Sequence, residues 1–126
     1  MRKYAAILAV LVASPLSAEP LTGNELLTIC EQTDQLAQQG FCTGYILGAL
    51  EGIKWGVSMP LFLMGQKTNE ADSNGDVLLG YCMPGEATLG QQRDVVIQFL
   101  MQNPSTRHGS ARSLIQDAYK AAFPCR

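Results

Sequence analysis

Four cysteines constrain this chain more than any other feature. Cys30, Cys42, Cys82 and Cys125 are separated by 12, 40 and 43 residues. Zinc sites built on cysteine draw on close pairs such as Cys-x-x-Cys, and no such pair exists here. An even set of widely spaced cysteines in a small exported domain reads instead as two disulfides, each worth about 2–4 kcal/mol. A domain of this size needs them, because it buries only about two-thirds of the surface its unfolded chain exposes.

Export is written into the first eighteen residues. Arg2 and Lys3 precede an apolar run from Tyr4 to Val12, and Ser14-Pro15-Leu16-Ser17-Ala18 ends on a small residue ahead of Glu19. This is the layout of a secretory signal peptide, residues 1–18, with cleavage expected after Ala18. The apolar run of about ten residues is half of what a membrane-spanning helix requires. Residues 19–126 then form a single domain in the periplasm. Losing Arg2 and Lys3 with the leader leaves seven basic residues against eleven acidic ones, a net charge of −4. With no basic cluster, nucleic acid is not an expected partner; a basic protein fits the balance better.

The fold class is all-α, a small disulfide-bonded bundle of about four helices. Thr22 and Glu25 make a capping box, with Leu21 and Leu26 placed as a hydrophobic staple, so a first helix opens at Thr22. A second runs from about Phe41 to Met59, where Pro60 is expected to stop it. A third begins at Thr88, with Gln91 three residues on, and carries Val95, Val96, Phe99 and Leu100. The fourth has the clearest amphipathic pattern, through Ala111, Leu114, Ile115, Ala118, Ala122 and Phe123. Sustained two-residue alternation is absent. Between the second and third helices, apolar Leu61-Phe62-Leu63-Met64 and the polar stretch from Gln66 to Asp76 read as a long connection. Such connections often carry function, which makes Leu61, Phe62, Leu63, Met64, Glu70, Asp72 and Asp76 the candidate partner-binding loop.

Gly44, Gly48, Gly52 and Gly56 recur at every fourth position of the second helix. Each glycine inside a helix costs about 1 kcal/mol against alanine, so something must offset the four. A ridge without side chains lets another backbone come close. The expectation is a helix of the same domain packed on it, with a homodimer seam or a groove for a partner as alternatives. A membrane span at residues 41–65 is disfavoured by Glu51 and Lys54 near its centre.

Chemistry has no visible seat. Glu70, Asp72, Asn74, Gly75 and Asp76 fit a calcium-loop template, but its last ligand position holds Tyr81 in place of glutamate, so a solvated turn is expected. His108 is the sole histidine, and no nucleophile signature accompanies it. Met59, Met64, Met83 and Met101 lack the close spacing of a copper motif and read as packing residues. Catalytic residues, metals and cofactors are therefore expected to be none.

Geometry selects one of three possible cysteine pairings. The turn at Asn103-Pro104 makes the last two helices antiparallel, which brings Cys82 beside Cys125 and leaves Cys30 for Cys42. Bridged cysteines have Cα atoms about 4.4–6.8 Å apart. The first helix must then stop or bend near Thr33–Asp34, and residues 35–40 must return the chain as a loop, despite a helix-friendly Gln-Leu-Ala-Gln-Gln run.

Several landmarks taken in order resemble one family. They are Gly23-Asn24-Glu25-Leu26-Leu27 before Cys30, Cys42-Thr43-Gly44-Tyr45-Ile46-Leu47-Gly48, Cys82-Met83-Pro84-Gly85, Thr88-Leu89-Gly90-Gln91, and Ala121-Ala122-Phe123-Pro124-Cys125. The set resembles the Rap/Tai group of periplasmic immunity proteins, which protect bacteria from peptidoglycan amidases delivered by type VI secretion. The chain departs from that pattern at Glu51, where Asp is usual. The resemblance implies a non-enzymatic inhibitor that binds a secreted cell-wall amidase and occludes its active site. A general periplasmic holdase without a dedicated toxin partner is the alternative.

Overall fold

Thr22 starts α1 (Gly23–Cys30) through a reciprocal capping box. Its hydroxyl accepts from the Glu25 backbone at 3.3 Å, while its own N–H and hydroxyl both donate to the Glu25 carboxylate at 2.8 Å. Those two donors hold the Glu25 carboxyl below its ordinary range. The structure, a computed structural model, describes residues 19–126, and the leader expected at residues 1–18 lies outside the described residues. Four further helices follow: α2 (Leu36–Leu63), α3 (Thr68–Leu79), α4 (Leu89–Gln102) and α5 (Ala111–Ala122). The described residues hold no strand, only a single antiparallel bridge between Thr22 and Ser110.

The early stop of α1 agrees with the geometric requirement. It ends at Cys30, a tight turn covers residues 31–35, and Cys30 is bonded to Cys42 with Cα atoms 5.1 Å apart. Gln39 secures that turn by donating to the carbonyls of Gln32 at 3.0 Å and Cys30 at 3.3 Å. Residues 35–40 are not a loop, however. The helix-friendly run starts α2 at Leu36, so propensity prevails there once the turn is complete. The second bond joins Cys82 to Cys125 with Cα atoms 4.8 Å apart, and Cys82 N–H donates to the Phe123 carbonyl at 2.8 Å.

Two expectations for the middle of the chain are overturned. Pro60 does not end α2, which continues one turn to Leu63. Proline removes a single N–H, that facing the Gly56 carbonyl, and both residues are exposed, so water can satisfy the orphaned oxygen. The long connection is likewise not a loop: Thr68 to Leu79 form α3. Its buried positions are Ala71, Gly75 and Leu79, a four-residue stripe built mostly of residues too small to give an apolar signal. Gly80, at φ 80°, closes α3 in the left-handed conformation, its N–H reaching the Asp76 and Val77 carbonyls. The calcium-loop template thus falls within a helix, not a turn.

The core gathers Leu26 and Leu27 of α1, Ile46 and Leu50 of α2, Leu79, Val96 and Leu100, and Leu114, Ile115 and Tyr119 of α5, with Cys30–Cys42 among them. Tyr119 is fully buried, stacked edge-on against Tyr81 and Phe123. Burial pushes both tyrosine hydroxyls up from the ordinary value; for Tyr81 the carboxylates of Asp76 and Glu51 add to it.

Candidate functional site

The glycine ridge does not pack on this domain. A Cβ placed on Gly44, Gly48, Gly52 or Gly56 would meet no atom within 4 Å, and Gly40 extends the open row by one step. The reason is register. The buried positions Cys42, Ile46 and Leu50 lie two residues before Gly44, Gly48 and Gly52, a rotation of about 200°, so the ridge faces away from the bundle. Length and apolar composition alone would let α2 cross a membrane, and only 17% of its most apolar window is buried. Its other face is committed to the core, and Lys54 is held by Asp76 at 3.0 Å.

At its C-terminal end, α2 presents Trp55, Ser58, Met59 and Phe62, spaced three and four residues apart along one stripe. Opposite stand Thr68, Ala71 and Asp72 of α3, and the two rows line an open cleft of about 380 Å³. The helices approach closely because Gly75 has no side chain: a Cβ there would lie 2.7 Å from the Ser58 hydroxyl oxygen. Ser58 is buried and its hydroxyl has no hydrogen-bond partner. Around the cleft, apolar surface is unusually open. Trp55 is 65% exposed, Phe62 48%, Leu63 76% and Met64 74%.

The residues proposed from sequence as one loop meet different fates. Phe62 and Asp72 share the cleft. Leu63 and Met64 are exposed outside its lining, and Leu61 is half-buried. The Glu70 carboxylate accepts from the Lys67 N–H at 3.4 Å at the start of α3, so it serves its own helix. Asp76 belongs to a second, more polar cleft with Glu51, Lys54, Tyr81 and Gln92, where the Tyr81 hydroxyl is buried without a partner. Trp55, Ser58 and Met59 were not among the sequence candidates. Their spacing continues through Phe62, and the stripe would have been visible had α2 been read past Pro60.

The lining of this cleft is mostly apolar, with Asp72 its one charged residue. All four cysteines are bonded. Among the described residues, no group of three or more His, Cys, Asp or Glu side chains could hold a metal ion. His108 is exposed in the loop before α5.

The family model of Rap1a immunity proteins matches residues 22–125. The chain belongs to the Rap1a immunity protein family. The match begins at the α1 N-cap and ends on Cys125, so it takes in every helix among the described residues and both disulfides. No curated protein and no solved structure matches the chain. Membership makes the chain an immunity protein against a secreted effector.

Proposed function

We propose that the protein is exported through its residue 1–18 leader to the periplasm, binds a cell-wall amidase delivered by type VI secretion, and occludes that enzyme's active site. The observation that carries this reading is the family match over residues 22–125. The Rap/Tai resemblance of the sequence supplies the amidase. The apolar α2–α3 end supplies a contact surface, since exposed aromatic and methionine side chains clustered at one place mark protein interfaces. Inhibition follows from occupancy, with no cofactor and no reaction of the inhibitor's own.

Titrating the purified mature protein against peptidoglycan amidases tests this directly. A stable complex and stoichiometric loss of hydrolysis of a muropeptide substrate are expected with one amidase. No inhibition by a micromolar excess, across a panel of amidases, would sink the reading. A holdase is the competing reading, favoured by the same exposed apolar side chains. It would suppress aggregation of unrelated denatured proteins and show no preference for one amidase.

The open glycine row favours a second interaction, a homodimer in which two copies of α2 cross at their ridges. Helices that present glycine at four-residue intervals can bring their backbones together. Sedimentation of the mature protein should then give a dimer mass, and Gly48→Leu should return it to a monomer; monomeric wild-type protein would remove the seam.

A further inference from the structure

On the reading that the α2–α3 end meets a protein partner, the cleft has a chemistry of its own. Three of its walls are large and apolar or aromatic: Trp55, Met59 and Phe62, with Ala71 behind them. Asp72 is the one charged residue of the lining, and it takes part in neither of the ion pairs among the described residues. Ser58 adds a hydroxyl that nothing satisfies.

A purely apolar occupant would desolvate the Asp72 carboxylate without replacing its water, which is unfavourable. An anion would be repelled. A group with an apolar stem and a cationic head satisfies both halves of the lining: methylenes lie against Met59 and Phe62, the charge meets Asp72, and the aromatic face of Trp55 stabilises the same charge. The charge balance agrees, since eleven acidic residues stand against seven basic ones once the leader is removed. We propose that the cleft is an anchor pocket for one basic side chain of the partner protein, arginine above lysine. A guanidinium can stack on the indole while donating to the carboxylate, which an ammonium cannot.

Trp55 is the only tryptophan in the chain, so its fluorescence reports this pocket without a label. The folded mature protein would be titrated with N-acetyl-arginine amide, N-acetyl-lysine amide and the uncharged N-acetyl-norleucine amide. A saturable change is expected with the two cations, strongest with arginine, and weaker by about fivefold or more with norleucine. Asp72→Asn should remove that preference while leaving the far-ultraviolet circular dichroism unchanged, and Phe62→Ala should weaken all three ligands. An equal response to norleucine overturns the proposal, as does the absence of saturation at tens of millimolar or a cation preference that survives Asp72→Asn.

The same variants separate this proposal from the wider one. Where an amidase complex forms, Asp72→Lys should loosen it by about tenfold. An unaltered complex overturns the anchor and leaves the immunity reading intact. Absence of any amidase complex counts against that reading, while the small-cation titration still decides the pocket. Dissociation of a homodimer by Asp72→Lys would assign the pocket to a second copy and overturn the partner assignment.

Discussion

At the scale of single residues, the most consequential glycine is one that the repeating pattern does not contain. A Cβ on Gly23 would collide with Leu114, lie 2.9 Å from the Arg107 carbonyl oxygen and 3.0 Å from Leu100. The backbone carbonyl cannot move, because it accepts from the Asn24 N–H at 2.8 Å. Gly23→Ala should therefore destabilise the protein by about 1–3 kcal/mol in urea unfolding. Tyr119 supports a second prediction, on pH. Its hydroxyl donates to Gln92 at 3.3 Å, and its folded pKa, like that of Tyr81, is raised above the ordinary value of 10. As pH rises past that ordinary value, the unfolded chain releases these protons first. The stabilisation is thus fully present below pH 10 and is lost progressively above it. Melting temperature should fall steeply above pH 10, and Tyr119→Phe should soften the fall while costing about 1 kcal/mol at neutral pH for the lost hydrogen bond.

At the scale of elements, the open ridge on α2 reverses a natural expectation about bulk. Gly48→Leu and Gly52→Leu meet no neighbour in the folded chain. Each should raise the stability of the isolated domain by up to about 1 kcal/mol through helix propensity, measured as a higher melting temperature in dilute solution. A marked loss would place a packed helix on that face. What could be read from sequence divides along the same lines. Capping residues located α1 and α4 closely, because Thr22 and Thr88 accept from the third residue of each helix in the structure. The α5 stripe was legible through Ala111, Leu114, Ile115 and Ala118, but Ala122 is exposed, and the polar tip of Tyr119 hid its burial. α3 was not legible, because its inward face is Ala71, Gly75 and Leu79 and its outward face includes Val77 and Leu78, which inverts the usual signal. The site was half legible for the same reason. Phe62 and Asp72 were candidates as members of the long connection, but only a continuous α2 reveals that Trp55 and Met59 share the stripe of Phe62 and face Asp72 across the cleft.

At the scale of the whole molecule, the two crosslinks should differ in what they contribute. Cys30–Cys42 closes 12 residues and Cys82–Cys125 closes 43. By loop entropy the first contributes about 3 kcal/mol and the second about 4 kcal/mol. Paired serine replacements, compared by denaturant unfolding, should therefore show the larger loss for Cys82 and Cys125. The ordering has a structural counterpart, since that bond fixes the segment ahead of α4 to the end of α5, while α1 is also tied to the loop before α5 through Gly23, Asn24 and Ala111. A larger loss from the Cys30 and Cys42 pair would show that the turn at residues 31–35 depends on its crosslink more than on the Gln39 hydrogen bonds.

The pairing of neighbours along the chain, first cysteine with second and third with fourth, also bears on how the protein matures. Under the proposed export, a polypeptide threaded N-terminus first into an oxidising compartment offers Cys30 and Cys42 while everything beyond them is still behind the pore. Cys82 then has no free thiol to meet until Cys125 arrives. An oxidant that joins thiols in their order of arrival reaches the native pattern directly, so the chain has no built-in need for an isomerase to correct crossed bonds.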